Sequence, residues 1–236
     1  MNIILITILA LCNILNAKVE FSHRSNNFST HQPVLYEIAN ATTGAIIEFG
    51  SGQGSTDLLH AICKKTKRLL VTIDDDLNWL NLYRQKYLGD GYNEENTGWH
   101  KFFYVPGKVN DSNYNHWLDF LNNFDLLKQI NFDLCFIDQS PFRARTETIL
   151  HLKDKVKYII LHDCDYFAQN NESQIAKEIK PLDSQNYIAG IYDFSSVFKN
   201  FKVYFPHKPW AGHTGPPTLL GSNFESNLPE IDFNNY

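Results

Sequence analysis

A glycine-rich turn set between a strand and a helix constrains this chain most. Residues Glu48-Phe49-Gly50-Ser51-Gly52-Gln53-Gly54-Ser55-Thr56 close the apolar run Ala45–Phe49 and open a helical pattern from Thr56 to about Lys64. Glycines permit a tight turn and let a ligand approach the backbone, and the helix start offers unpaired N–H groups. The rest of the chain repeats the strand-then-helix rhythm. Strands are predicted at Arg68–Ile73, Lys101–Val105, Phe132–Ile137 and Lys157–Leu161. Helices are predicted at Leu77–Tyr87, Tyr114–Leu127 and Arg143–Leu152, with a short one at Ile175–Ile179 that Pro181 ends. Alternating strands and helices make an α/β protein with a doubly wound, mainly parallel sheet. The last predicted strands, Tyr187–Phe194 and Val197–Phe205, lack a helix between them and read as an antiparallel hairpin at one edge.

With 236 residues and 43% hydrophobic side chains the chain can bury one large core without disulfides. Its net charge of −5 argues against nucleic acid as a partner. Ile3 to Leu15 is almost wholly apolar, the size of a signal-peptide core rather than of a membrane span. Ala17 is small enough for cleavage, although no Lys or Arg precedes the run. The domain reading is therefore 1–17 a signal peptide or signal anchor, 18–206 the folded domain, and 207–236 a Pro/Gly/Asn-rich tail. A used signal implies the secretory pathway or the cell exterior, and contact with a membrane only if the segment stays as an anchor. An ordinary buried N-terminal element implies the cytoplasm. Cleavage would remove Cys12 and leave Cys63, Cys135 and Cys164, an odd number that does not support an oxidising compartment. The sequons at Asn27, Asn40, Asn110 and Asn171 are no more than chance supplies in so Asn-rich a chain. His207, Trp210 and His213 in the tail suggest either a substrate lid or a solvated segment.

The second predicted strand ends at Asp74, 24 residues after Gly50, where a carboxylate can accept both hydroxyls of a ribose. A dinucleotide fingerprint needs Gly or Ala at its sixth position; here that residue is Ser55. Glu48 would repel a pyrophosphate but suits a ligand bearing an ammonium or sulfonium group. Together these residues favour S-adenosylmethionine over NAD. The competing reading is a plain turn followed by Asp74–Asp76 as a helix-capping run.

These residues resemble the first motif and the strand-two acid of the class I S-adenosylmethionine-dependent methyltransferases, over roughly Ile46 to Phe205. The resemblance implies a Rossmann-like, seven-stranded sheet with an antiparallel edge strand. It implies cofactor contacts from Glu48, Gly50, Ser51, Gly52, Gly54, Ser55 and Thr56, from Asp74 at the ribose, and from Asp138. Adenine contacts fall near Pro106-Gly107-Lys108.

Two acidic strand ends carry the chemistry: Asp138 after Phe132–Ile137, and His162-Asp163-Cys164-Asp165 after Lys157–Leu161. Neighbouring parallel strands lie about 5 Å apart, so Asp138 and Asp163 can share one site. Close carboxylates share a proton or bind a cation. This half is similar to the catechol and caffeoyl-CoA O-methyltransferase branch, which implies a divalent metal such as magnesium on Asp138 and Asp163. Cys164 stands where that branch has Asn, and Pro141 where it has its catalytic Lys. Asp138, His162 or Asp163 would then deprotonate a hydroxyl, or His162 is merely a packed histidine. Arg143 and Arg145 bind an acidic substrate group or neutralise nearby carboxylates. The functional readings are an O-methyltransferase acting on a small molecule or glycan, a non-catalytic binding protein of the same fold, and a NAD-dependent oxidoreductase.

Overall fold

The computed structural model describes residues 29–92, 98–107, 114–164, 194–204 and 216–232. The N-terminal segment 1–17, the helix Ile175–Ile179, and Lys108, Asp165, His207, Trp210 and His213 lie outside these residues, as does most of the strand expected at Tyr187–Phe194. Within them no helix is long and apolar enough to cross a membrane.

Seven strands form one sheet: β1 (Ala45–Phe49), β2 (Leu70–Asp74), β3 (His100–Tyr104), β4 (Phe132–Ile137), β5 (Tyr158–Leu161), β6 (Asn200–Tyr204) and β7 (Thr218–Ser222), in the order β3-β2-β1-β4-β5-β7-β6. The first five run parallel, and β7 is antiparallel to both its neighbours, β5 and β6. The strand order reverses between β1 and β4, which opens a ligand crevice at their carboxyl ends. Ile47 pairs with Val71 on one side and with Cys135 on the other, so strand parity is continuous across the sheet.

That parity divides the core into two layers. Ile47, Phe49, Val71, Ile73, Cys135, Ile137, Ile159 and Leu161 face helices α4 (Asn115–Asn123) and α6 (Phe142–Leu152) through Trp117, Leu121, Ala144, Ile149 and Leu152. Short α5 (Leu126–Gln129) adds Leu126 and Leu127 to that layer. Ile46, Leu70, Leu134, Phe136, Ile160 and Leu220 face α1 (Gln32–Ala41) and α2 (Thr56–Thr66) through Val34, Leu35, Ile38, Leu59 and Cys63. Continuous apolar strands are what a sheet covered on both faces requires. Helix α3 (Leu77–Tyr87) follows β2, its start capped by the Asp76 side chain, which accepts from Asn78 and Trp79 N–H.

Three local expectations need correction. The helix expected over Tyr114–Leu127 breaks into α4 and α5, because Phe124 adopts an extended backbone between them. Phe194 lies in a 3₁₀ turn with Ser195 and Ser196, not in a strand, and the hairpin partner of β6 is β7. The tail assigned to 207–236 thus contains a fully buried strand. Pro216, Pro217 and Gly221 mask its pattern, and Gly221 is required because a Cβ there would stand 2.7 Å from the Phe198 ring. Helix α1 also lies in a stretch where the sequence suggested no element. Pro33 in its first turn and the apolar set Val34, Leu35, Ile38 and Ala39 are its signals. The Arg68 guanidinium donates to the Ala39 and Thr42 carbonyls at its far end, at 2.7 and 2.8 Å.

Candidate active site

Gly50 begins the site. Its φ is +88°, and a Cβ there would lie 2.6 Å from the backbone nitrogen of Gln139, so only glycine fits. Its N–H donates to the Ile73 carbonyl, and the Asp138 N–H donates to the Phe49 carbonyl, each at 2.8 Å. The glycine turn therefore touches the ends of both β2 and β4. A Cβ built on Gly52 would meet the Ser55 hydroxyl at 3.6 Å, an ordinary contact, so this part of the turn is less crowded than Gly50 or Gly54. Gly54 is closed in by Ser29 and His31, and its carbonyl accepts from the Gln32 side chain.

Asp74 closes β2 beside this turn. Its Oδ2 accepts from the Ser51 N–H and hydroxyl at 2.7 and 2.6 Å, and its Oδ1 from the Asp76 N–H at 2.8 Å. Burial raises its carboxyl above the ordinary range despite these bonds. Roughly four acceptor positions on a carboxylate leave one for a ligand hydroxyl. The next residue, Asp75, is turned to the other layer and accepts from the His116 and Trp117 rings.

Glu48 does not face the crevice. It is 0% exposed, and its oxygens accept from the Thr56 and Thr72 hydroxyls at 3.0 and 2.7 Å. Burial, opposed by hydrogen bonds from Ser55, Thr72 and Thr56, pushes its carboxyl up to about 8. Near pH 7 it holds a proton, so it offers no negative charge to an ammonium or sulfonium. The argument from Glu48 against phosphate loses its physical carrier. Glu48 instead ends a buried chain. Thr72 Oγ1 lies 3.0 Å from His100 Nε2, His100 Nδ1 lies 2.8 Å from His60 Nδ1, and His60 Nε2 lies 3.6 Å from the half-exposed Asp90 carboxylate. Burial holds both imidazoles below their ordinary range, His100 at about 2.

The second half of the site gathers His31, Asp138, Arg145, His162 and Asp163. Arg145 is 5% exposed and lies between the two carboxylates, with Nη2 at 2.9 Å from Asp138 Oδ1 and Nη1 at 3.3 Å from Asp163 Oδ2. It also donates to the carbonyls of Gln139, His162 and Asp138 at 2.8, 2.9 and 3.1 Å. Of the two readings for Arg145, the geometry fits neutralisation of carboxylates. Arg143 lies apart from this group, 3.4 Å from Glu147 and over the Tyr114 ring. Asp163 takes a left-handed backbone, φ +51°, which aims its carboxylate back at Arg145 and His162. Burial alone would raise the Asp138 carboxyl, but His162 and Arg145 hold it below the usual range. Burial opposes charge on His162, yet Asp138 and Asp163 raise it above its ordinary value.

The all-oxygen metal site that the branch resemblance implies does not fit these residues. Arg145 fills the space between Asp138 and Asp163, and the Cys164 side chain packs in the core layer with Leu161 and Leu219. The sequence reading missed His31. It is 2% exposed, 4.4 Å from the His162 ring centroid and 4.7 Å from that of Phe136. Its local signal is its place at the N-cap of α1, two residues before Pro33.

No family model and no curated protein matches this chain. Solved structures do. An O-methyltransferase from Bacillus cereus in complex with SAH is 15% identical over 92% of this chain and 88% of its own, with a TM-score of 0.53. The SAH-bound methyltransferase PaMTH1 from Podospora anserina is 12% identical over 94% and 96%, with a TM-score of 0.50. A spermidine synthase from Thermotoga maritima is 11% identical over 90% of this chain, which spans 63% of that protein's length, with a TM-score of 0.48. The fold of this chain is that of the class I S-adenosylmethionine-dependent methyltransferases.

Proposed function

We propose that this chain transfers a methyl group from S-adenosylmethionine to a hydroxyl oxygen on a small molecule or glycan. One observation carries the reading. The glycine turn at Gly50–Gly52 and the Asp138 cluster share a wall, because Gly50 packs on the backbone of Asp138 and Gln139. A cofactor seated on the turn then lies beside groups that handle protons. Asp74 would hold a ribose hydroxyl through its remaining acceptor position, and the Gly52 backbone would admit the methionine end.

S-adenosylmethionine, when bound, supplies an electrophilic methyl on sulfonium. The acceptor oxygen forms a bond to that carbon as the carbon–sulfur bond breaks and its electron pair stays on sulfur, leaving S-adenosylhomocysteine. The hydroxyl proton passes to the carboxylates of the cluster, of which Asp138, with 27% of its side chain exposed, opens to the crevice. Positioning and proton removal supply most of the rate in such a transfer. The apolar Ile3–Leu15 segment supports placing the acceptor in the secretory pathway or outside the cell.

Calorimetric titration with S-adenosylhomocysteine tests the cofactor half. Wild type binds with a Kd on the order of micromolar, and Asp74→Ala weakens it by about tenfold, the equivalent of about 1.4 kcal/mol. Absence of binding by the folded chain refutes the reading. Binding without methyl transfer to any of a panel of phenols, alcohols and sugars refutes the catalytic half and leaves a binding protein.

A further inference from the structure

The imidazole side of the cluster contains an electrostatic conflict. The Thr30 hydroxyl donates to the Pro216 carbonyl at 2.7 Å, so its oxygen is an acceptor toward His162 Nε2, 3.4 Å away. Asp163 Oδ1, at 3.5 Å, is another acceptor facing the same nitrogen. A neutral His162 has one ring hydrogen for acceptors that face both of its nitrogens. On one side, Asp138 Oδ2 at 3.3 Å from Nδ1 or Thr30 and Asp163 at Nε2, an acceptor is then set against a lone pair. Something positive must lie between them, either a second proton on His162 or a cation.

His31 decides between the two. Neither of its ring nitrogens reaches hydrogen-bond geometry with any described group, although the ring is buried. The Gly54 carbonyl, which also accepts from the Gln32 side chain, lies close enough to raise the His31 pKa and can serve at most one of the two nitrogens. A buried ring nitrogen left without a partner costs on the order of 1–3 kcal/mol, and an imidazolium on His162 does nothing to relieve it. A metal does. One ligand atom from each of His31, Asp138 and His162 lies within 4.8 Å of the other two. For the His162 Nδ1–Asp138 Oδ2 pair, 3.3 Å apart, metal bonds of roughly 2.0–2.1 Å subtend about 107°, and a small shift of the His31 ring would bring its nitrogen into range.

We propose that His31, Asp138 and His162 bind a divalent d-block cation, of which zinc is the type, with one coordination position left open. Two imidazoles and one carboxylate select such a metal over magnesium. The outer groups are in place. Asp138 uses its other oxygen on Arg145, and His162 Nε2–H faces Thr30 and Asp163, the second-shell arrangement that fixes a metal-bound histidine. Burial, with His162 adding to it, holds His31 down at about 3, so it is neutral and ready to ligate. The two carboxylates and Arg145 sum to −1; a dication and one ionised ligand oxygen bring the site to neutrality. On the methyltransferase reading, and resting on it, the open position would hold the acceptor oxygen and Asp163 would be left to take its proton.

The test needs neither cofactor nor acceptor, so its failure is distinct from failure of the proposed function. The full chain, stripped with a chelator, is titrated with Zn²⁺ by calorimetry and with Co²⁺ by visible absorption. One equivalent is expected, with the intense bands of a four-coordinate cobalt. His31→Phe fills the same apolar space, keeps the fold, and unfolds in the metal-free state no earlier than wild type. It weakens metal binding by more than about 100-fold, since loss of a direct ligand exceeds the roughly 10–100-fold that loss of a supporting group costs. Asp163→Asn retains binding within about tenfold. Absence of saturable binding to wild type, or undiminished binding to a folded His31→Phe, overturns the proposal and leaves His162 as an imidazolium paired with Asp138.

Discussion

Glu48→Gln should change the pH dependence of stability in a defined direction. In the folded chain the Glu48 carboxyl is pushed up to about 8 by burial, against an ordinary value of 4.5. A group whose folded value is raised contributes stability that is fully present below its unfolded value and is lost as pH rises through the folded one. Wild type should therefore lose stability between pH 4.5 and about 8. At about 1.4 kcal/mol per pH unit, that interval sets a ceiling of about 5 kcal/mol, of which about 3 kcal/mol is gone by pH 7. Glutamine is a neutral isostere of the protonated acid, and its carbonyl can still accept from the Thr56 or Thr72 hydroxyl. Other groups titrate in the same window, notably His60 and His100, and they are common to both proteins. The difference between variant and wild type isolates Glu48. Urea unfolding at pH 5, 6, 7 and 8 reads it directly. The variant should equal or fall slightly below wild type at pH 5 and exceed it by about 3 kcal/mol at pH 7. Parallel curves for the two proteins would refute the protonated, inward-facing Glu48.

Arg145→Met should cost about 3–5 kcal/mol in urea unfolding at pH 7, because it strips the counter-charge from Asp138 and Asp163 and the donor from three carbonyls. Arg145→Lys should restore less than half, since an ammonium cannot reproduce that fork; full rescue by Lys would show that charge alone matters. Gly221→Ala should cost about 1–3 kcal/mol, since its Cβ meets the Phe198 ring at 2.7 Å. A neutral result would remove β7 from the sheet interior.

The local pattern carried the fold a long way. Strands β1 and β4 and helix α3 have the bounds read from the sequence. Apolar periodicity marks buried elements wherever the run is long and unbroken. It fails at β7, where proline and glycine flank and interrupt five buried residues, and at α1, whose apolar stripe is short. The candidate site was legible only as strand ends. Asp74, Asp138, His162 and Asp163 stand at the carboxyl ends of β2, β4 and β5, where a doubly wound sheet puts its ligands.

What the sequence determined alone is the order of the elements, the glycine turn after β1 and the acids that close the strands, because each rests on residues within one short segment. Only the tertiary structure decided what those acids are. Glu48 becomes a proton holder because two other elements, α2 and β2, bring Thr56 and Thr72 to it and exclude water. Asp138 and Asp163 are bridged because α6 delivers Arg145 between them. His31 enters the cluster from more than a hundred residues away. Burial and distance between remote groups set charge, and no pattern along one segment encodes either.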